Sequence, residues 1–392
     1  MFGSAKDIFK KELAAIEAAG LHKTERPLES RQGRVVRVDG KYLLNFCSNN
    51  YLGLAGAPEL VEEAKRALDQ YGFGLSSVRF ICGTQTIHKE LEKETARFLG
   101  KDDVILYSSC MTANIGFFAS FLTEEDGILT DALNHASIID GIRLCKAERF
   151  IYKHMDLEDL EKGLQQFSGK RIRCVVTDGA FSMDGDVAPL KGIVALTKKY
   201  EAFVVVDDSH ATGFMGASGR GTPEECGVET QVDVITSTYG KALGGAGGGF
   251  IAGHQEIIDL LRERSRTYLF SNNIPPVVAA TSLFALRYIS AHPELRDTLW
   301  ENMRYFRAKM QEAGFTVPES VHPIVPIMIG DAVKTKEMAR AIFERGIYVV
   351  GFSYPVVPEG KARIRVQISA EHTREDLDKA VSAFVEARAE CA

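Results

Sequence analysis

Two apolar runs that end in polar residues indicate the fold class of this chain. They are AFVVVDDSH at residues 202–210 and VDVITSTYG at 232–240, and the second is followed by KALGGAGGG at 241–249. Both runs are nearly continuous rather than alternating in polarity, which is typical of strands buried on both faces of a parallel sheet. They therefore predict two strands of an α/β sheet.

The same pattern recurs along the chain from about residue 100. The further runs of this kind are VILYSS (104–109), GILTD (127–131), RFIYK (149–153), IRCVVTDG (172–179) and GGFIAG (248–253). Helical segments such as LEDLEKGLQQF separate most of these runs. We therefore expect a mostly parallel seven-stranded sheet that helices cover on both faces.

The segments on either side of this sheet predict the domain organisation. A helical pattern in residues 5–20 precedes a small hairpin, RVVRVDG and YLLNF, and the turn NNIPP at 272–276 precedes a long helical stretch from Val278 to about Ala313. Short strands and a closing helix from Thr373 follow. We expect an N-terminal segment (1–45), a large domain (46–275) and a small C-terminal α/β domain (276–392).

Composition excludes several classes of protein. The chain has 392 residues, of which 47 are lysine or arginine and 53 are aspartate or glutamate, for a formal net charge of −6. A nucleic-acid-binding protein would usually carry a basic surface, and no apolar run approaches the roughly 20 residues that span a bilayer. The seven cysteines include no CxxC pair, which favours reduced thiols in a cytoplasmic protein.

Polar residues close each of the apolar runs. Ligands of an open parallel sheet bind beyond the carboxyl ends of its strands, so these residues are expected to converge on one edge. The strand ends are Ser108-Ser109-Cys110, Asp131 with Asn134-His135, Asp178 with Ser182, Asp207 to His210, and Thr238 to Lys241. The glycines after Lys241 allow the backbone to pass close to a ligand there.

Three simple assignments fit these strand ends poorly. A hydrolase nucleophile would need a G-x-S-x-G elbow, which the chain lacks. A dinucleotide site would need G-x-G-x-x-G after the first strand, but Gly72-Phe73-Gly74 is followed by Ser77 and precedes the sheet. His135, Asp207 and His210 lack the spacing of a known metal cage, so we expect no metal.

A strand-end aspartate and a strand-end lysine suit pyridoxal phosphate. This cofactor needs a lysine for covalent attachment, an acid that keeps its pyridine nitrogen protonated, and a donor-rich turn for its phosphate. Lys241, Asp207 and the glycine-rich turn meet these three needs.

The tract TYGKALG at 238–244, with a further glycine at 247, matches the attachment signature of class-II pyridoxal-phosphate enzymes. Here the chain resembles the α-oxoamine synthases, which join an amino acid to an acyl-CoA. Other segments that carry the resemblance are NNYLGLA (49–55), SVRFICGTQ (77–85), DALNHASIIDG (131–141), TDGAFSMDGD (177–186), VDDSHATGF (206–214) and RIRVQIS (363–369). The resemblance implies the aspartate aminotransferase-like fold, fold type I.

The sequence is most similar to the branch of this family that condenses glycine with acetyl-CoA. That similarity implies 2-amino-3-oxobutyrate and CoA as products, and the reverse cleavage with CoA in threonine breakdown. The nearest alternative is the branch of biotin formation, which uses alanine and pimeloyl-CoA. A non-catalytic member of the fold and a nicotinamide-dependent oxidoreductase are more distant alternatives. The intact lysine and aspartate argue against the first, and the poor glycine fingerprint against the second.

The resemblance assigns roles around the cofactor ring. Lys241 would hold the cofactor and remove a proton from the α-carbon of glycine. Asp207 would pair with the pyridine nitrogen, and His135 would stack on the ring. His210 and Ser182 would face the phenolic oxygen.

The phosphate would lie at the start of the helix after ILYSS. The backbone N–H groups of Cys110 and Met111 would bind it, because a helix N-terminus combines free donors with a favourable dipole. Met111 stands where this branch usually has phenylalanine. Thr238 would add a hydroxyl, and the resemblance brings Ser271 and Asn272 from the opposite subunit, which implies a homodimer with shared active sites.

Two arginines compete for the carboxylate of the amino acid. Arg363 and Arg365 are two residues apart on a predicted strand, so both point to one face and periodicity cannot choose between them. The resemblance assigns the two-pronged ion pair to Arg365 and an assisting contact to Asn50.

Overall fold

The computed structural model describes residues 2–18, 22–23, 25–354 and 356–391. The strands are β1 (Val35–Val38), β2 (Lys41–Asn45), β3 (Asp103–Tyr107), β4 (Gly127–Asp131), β5 (Glu148–Tyr152), β6 (Arg173–Asp178), β7 (Phe203–Asp207), β8 (Val234–Thr238), β9 (Gly249–Gly253), β10 (Ile324–Gly330), β11 (Ile347–Tyr348), β12 (Val350–Phe352) and β13 (Ala362–Gln367). The helices are α1 (Phe2–Ala18), α2 (Pro58–Tyr71), α3 (Thr86–Leu99), α4 (Cys110–Phe121), α5 (Ala136–Leu144), α6 (Leu157–Gln166), α7 (Leu190–Lys199), α8 (Thr222–Glu225), α9 (Gln255–Arg264), α10 (Arg266–Leu269), α11 (Pro276–Ala291), α12 (Glu294–Glu312), α13 (Ala332–Glu344) and α14 (Arg374–Glu390).

Seven strands form the central sheet, in the order β3-β9-β8-β7-β6-β4-β5. Strand β9 runs antiparallel to both of its neighbours, β3 and β8. The pairs β7–β8, β6–β7, β4–β6 and β4–β5 are parallel. The predicted mostly parallel seven-stranded sheet is therefore confirmed.

Strand β7 is buried on both faces, as its continuous apolar run predicts. Val204 and Val206 belong to one hydrophobic cluster, whereas Val205 belongs to a second cluster on the opposite face. Successive side chains of a strand point to opposite faces, so a run without polar interruptions needs cover on both sides.

Two small sheets accompany the central one. The predicted hairpin is β1–β2, and β11 joins β2 in parallel. In the C-terminal part, β10, β13 and β12 form an antiparallel sheet with β13 in the middle. Within the described residues, no helix is long and apolar enough to cross a membrane.

The long helical stretch predicted after residue 278 is two helices. Helix α11 ends at Ala291, and α12 begins at Glu294. Pro293 lies between them, and proline lacks the N–H that would continue the hydrogen-bond ladder. Helix α11 packs on α2 and α3 of the preceding segment, and the domain boundary near residue 275 stays a prediction.

A histidine clamp holds the segment between β6 and α7 against the end of β4. His154 Nδ1 is 2.9 Å from Asp131 Oδ1, and its Nε2 is 2.6 Å from Asp186 Oδ2. Asp186 lies in a short hairpin closed by a bridge between Ala180 and Val187. Burial opposes a charge on His154, but the hydrogen-bonded carboxylates outweigh it and raise the pKa of His154 to about 10.

This clamp predicts a pH dependence of stability. Because the pKa of His154 is raised on folding, its contribution is complete below the ordinary value of 6.5 and is lost as the pH rises through about 10. The difference in melting temperature between wild type and His154→Gln should therefore shrink between pH 6.5 and pH 10. His254→Gln, at an exposed histidine 3.4 Å from Asp233, is the control. A difference that stays constant with pH would contradict the prediction.

Candidate active site

Lys241 and Asp207 occupy the carboxyl edge of the central sheet. Asp207 ends β7, and Lys241 follows three residues after the end of β8. Among the described residues, none forms a hydrogen bond or ion pair with the Lys241 amine. Burial lowers the pKa of Lys241, although the negative charge of Asp207 opposes this shift. An amine with a lowered pKa has a larger neutral fraction, as a nucleophile or base requires.

Three groups hold the carboxylate of Asp207. Asn114 Nδ2 donates to Oδ2 at 2.6 Å, and the Cys110 thiol lies 3.5 Å from the same oxygen. The backbone N–H of Ser209 donates to Oδ1 at 3.0 Å. Cys110 and Asn114 are four residues apart on α4, so they share one helix face. Asn114 was not among the predicted site residues. Its position four residues after Cys110 in the predicted phosphate-binding turn is the sequence signal that could have identified it.

His135 is the N-cap of α5 and lies at the same edge of the sheet as Asp207, with β6 between β4 and β7. Its backbone N–H donates to Asp178 Oδ2 at 2.8 Å, and Asp178 pairs with Asp207 across β6 and β7. Burial and the charge of Asp207 raise the pKa of Asp178. The imidazole Nδ1 of His135 lies 2.7 Å from Ser137 Oγ. This hydrogen bond fixes the orientation of the ring.

His210 is held at two atoms by buried side chains. Its Nδ1 lies 2.9 Å from the hydroxyl of Tyr51, and its backbone carbonyl accepts a hydrogen bond from His322 Nε2 at 2.6 Å. Burial, together with the charge of Lys241, holds the pKa of His210 well below its usual value. The imidazole is therefore neutral at physiological pH. Tyr51 lies within the NNYLGLA motif, but its partner was not predictable from the motif.

The turn around Cys110 has the form of an anion cradle. Ser109 is the N-cap of α4, so Cys110 and Met111 lie in its first turn. A Cβ atom at Gly249 would overlap the backbone of Ser109 and Cys110, so only glycine permits this close approach. Thr238 Oγ1 donates to the carbonyl of Gly248 at 2.7 Å and stabilises the same turn.

The structure distinguishes the two arginines of β13. Arg363 is buried and forms an ion pair with Asp184. Arg365 donates to the carbonyl of Ser182 at 2.8 Å, and its buried Nε has no hydrogen-bond partner among the described residues. Its guanidinium carbon lies 4.9 Å from the centre of the Phe352 ring. Arg365 is therefore the arginine that can still bind a carboxylate.

The remaining predicted residues divide into two groups. The carboxamide of Asn50 accepts from the backbone N–H of Ala55 at 3.0 Å and lies 3.4 Å from Glu371, near β13. Ser182 contacts Arg365 through its carbonyl oxygen. Asn272 forms a β-bridge with Val78, and the Ser271 hydroxyl donates to the carbonyl of Asn272. Within the described part of the chain, no hydrogen bond links their side chains to the site.

Comparison with known proteins gives both a family and close relatives. The family model for class I and II aminotransferases matches residues 41–384. The human protein named 2-amino-3-ketobutyrate coenzyme A ligase, mitochondrial, is 54% identical over 97% of this chain and 91% of its own length. The 8-amino-7-oxononanoate synthase of Petrotoga mobilis is 46% identical over 96% of each protein.

A solved structure is also similar over nearly the whole chain. It is a serine palmitoyltransferase from S. paucimobilis with a bound PLP–myriocin aldimine. The two structures superpose with a TM-score of 0.93 at 31% identity, and the match covers 99% of this chain and 98% of the other.

Proposed function

The chain belongs to the aminotransferase class I and II family, and we propose that within it the protein acts as a glycine C-acetyltransferase, or 2-amino-3-ketobutyrate CoA ligase. The observation that carries this assignment is the 54% identity to the human ligase over 97% of the chain. Family membership also confirms the predicted aminotransferase-like fold and the predicted cofactor, pyridoxal phosphate.

The residues at the sheet edge fit pyridoxal phosphate. Lys241 is a partly buried amine without a competing partner among the described residues, and Asp207 ends the strand next to β8. The backbone of Cys110 at the start of α4, packed against Gly249, suits a phosphate. We therefore assign cofactor attachment to Lys241, the pyridine nitrogen to Asp207 and the phosphate to Cys110, Met111 and Thr238.

When bound, pyridoxal phosphate withdraws electrons from the α-carbon of glycine and so makes its proton removable. Lys241 Nζ takes this proton. Arg365 binds the glycine carboxylate with help from Asn50, which orients the α-carbon toward the lysine. His135 would cover the cofactor ring, and His210 and Ser182 would bind its phenolic oxygen.

The overall reaction balances without an external oxidant or reductant. A carbon–carbon bond forms between the glycine α-carbon and the acetyl carbonyl carbon, and the carbon–sulfur bond of the thioester breaks. The proton lost from glycine leaves with CoA as its thiol. The products are 2-amino-3-oxobutyrate and CoA, and the same site would catalyse the reverse cleavage.

The second candidate function is 8-amino-7-oxononanoate synthase, favoured by the 46% identity to the Petrotoga enzyme. Thiol release should be measured with glycine plus acetyl-CoA and, in parallel, with alanine plus pimeloyl-CoA. We expect kcat/KM to be at least roughly 100-fold higher for the first pair, because one site rarely accommodates both acyl chains equally. A preference for the second pair would refute the proposed function.

We assign the reverse reaction a role in threonine catabolism, and we place the enzyme in the cytoplasm. The support for the compartment is chemical, since all seven cysteines are free in the structure. The human relative is named as a mitochondrial protein, so cell fractionation is the direct test.

We also propose a homodimer in which Ser271 and Asn272 reach the phosphate of the partner's site. Beside Asn272, the segment 77–83 exposes Phe80 (61%) and Ile81 (68%). Large apolar side chains exposed together are typical of an interface. Helix α1 has no buried residue in the single chain, so it too is available to a second copy.

Disruption of this interface should impair both assembly and cofactor binding. We expect Ile81→Asp to sediment as a monomer and to bind pyridoxal phosphate more weakly, because the partner's Ser271 and Asn272 would be missing. Val333→Asp, at a residue 66% exposed on α13, is the matched control and should remain dimeric. An Ile81→Asp variant that stays dimeric with unchanged cofactor affinity would contradict this interface.

A further inference from the structure

Asn114 connects two of the proposed cofactor-binding residues. It is almost completely buried, and both hydrogens of its amide group are used. Nδ2 donates to Asp207 Oδ2 at 2.6 Å and to Ser137 Oγ at 2.8 Å. Ser137 Oγ in turn lies 2.7 Å from His135 Nδ1. One chain of hydrogen bonds therefore runs from the residue assigned to the pyridine nitrogen to the residue assigned to the ring face.

The direction of every bond in this chain follows from chemistry. The carboxylate of Asp207 can only accept, so the amide nitrogen of Asn114 must face it. The second amide hydrogen occupies a lone pair of Ser137 Oγ, which leaves the serine hydrogen free for His135 Nδ1. The backbone N–H of Ser137 also points at Nδ1, at 3.2 Å. Nδ1 is therefore the acceptor nitrogen, and a neutral His135 carries its proton on Nε2.

The carbonyl oxygen of the Asn114 side chain, Oδ1, is evidence against a purely structural role. Oδ1 is buried and has no hydrogen-bond partner among the described residues. A buried carbonyl oxygen without a partner costs free energy. Rotation of the amide would relieve nothing, because it would place Oδ1 against the carboxylate of Asp207. The structure thus satisfies both donors of Asn114 at the cost of its acceptor.

We propose that Asn114 and Ser137 are positioning residues that join Asp207 and His135 into one hydrogen-bonded unit and hold His135 as the neutral Nε2–H tautomer. This inference rests on the proposed cofactor positions of Asp207 and His135. It predicts that loss of Ser137 Oγ leaves Nδ1 of His135 with only the longer hydrogen bond from the backbone N–H of Ser137, and so loosens the hold on the tautomer. Loss of the Asn114 amide should weaken cofactor binding through Asp207.

The tautomer is measured by NMR, from the ¹⁵N chemical shifts of the ring nitrogens in holoenzyme labelled with ¹⁵N-histidine. The His135 signals are assigned as those that are missing in His135→Asn. In wild type we expect the shifts of an unprotonated Nδ1 and a protonated Nε2. In Ser137→Ala the two shifts should move toward each other, and Ser137→Thr, which keeps the hydroxyl, should restore them. Ser282→Ala, at a buried helical serine in α11, should leave the His135 signals unchanged.

Cofactor affinity is the second measurement, made by titration of the apoenzyme with pyridoxal phosphate. Asn114→Leu keeps the size of the side chain and should raise Kd roughly tenfold, the effect of losing a hydrogen bond to a charged group. Unchanged His135 shifts in Ser137→Ala, or unchanged cofactor affinity in a folded Asn114→Leu, would overturn the proposal. If Asn114→Leu does not fold, the His135 shifts in Ser137→Ala and Ser137→Thr alone decide whether the proposal stands. A wild-type protein that binds no pyridoxal phosphate would instead refute the proposed function.

Discussion

Lys241→Ala is expected to lose covalent cofactor attachment and to lower kcat by roughly 10³-fold or more, because one side chain supplies both the attachment point and the base. Borohydride reduction followed by peptide mass spectrometry should find pyridoxal phosphate on Lys241 in wild type and on no lysine in the variant. The fold should survive, since Lys241 makes no hydrogen bond or ion pair among the described residues.

Lys101→Ala is the matched control for this variant. Lys101 is also partly buried, burial likewise lowers its pKa, and its amine donates to the carbonyl of Glu229 at 2.8 Å. Its loss should reduce thermal stability and leave the cofactor attached. Full turnover in Lys241→Ala, or labelling of another lysine in wild type, would show that the attachment site is wrongly assigned.

Arg365→Ala is expected to raise KM for glycine by roughly 10- to 100-fold, because a charge-assisted two-pronged hydrogen bond to the carboxylate is lost. The cofactor spectrum without glycine should be unchanged. Arg365→Lys should recover little of the loss, since an ammonium group cannot reproduce the planar fork of the guanidinium. Steady-state kinetics with varied glycine at saturating acetyl-CoA measures the effect.

Arg363→Ala provides the contrast at the neighbouring position. It breaks the ion pair between the buried Arg363 and Asp184, whose side chain is 30% exposed, so we expect a loss of roughly 1.5–3 kcal/mol of stability. Its effect on KM for glycine should be the smaller of the two. If a folded Arg363→Ala variant raises KM for glycine more than Arg365→Ala does, then Arg363 and not Arg365 binds the glycine carboxylate.

The fold was predictable because its determinants are local in the chain. A strand buried on both faces needs a continuous apolar run, and the run at 203–207 places Val204 and Val205 in different clusters. The strand ends were predictable for the same reason, since Asp207 is the last residue of β7 and Lys241 lies three residues after β8. The helix predicted from Val278 to about Ala313 was wrong at Pro293, because proline cannot donate the hydrogen bond that would continue a helix.

The contacts within the site were not predictable in the same way. Asn114 meets Asp207, and Tyr51 meets His210, across large separations in the chain. No periodicity links such pairs, because their approach depends on strand order and on the packing of α4 against the sheet. The orphan acceptor of Asn114, which carries the positioning proposal, is likewise visible only when its surroundings are known.

The order of amino acids was sufficient to predict the α/β class and a lysine and an aspartate at the ends of two strands, because each of these features depends on residues close together in the chain. The sequence periodicity could not show which of Arg363 and Arg365 binds the substrate carboxylate, since both lie on one face of β13. Tertiary structure separated them by placing Asp184 beside Arg363, whereas no carboxylate of the described residues forms an ion pair with Arg365. A buried cation that already has a carboxylate partner is neutralised, whereas one without such a partner can bind the carboxylate of a substrate.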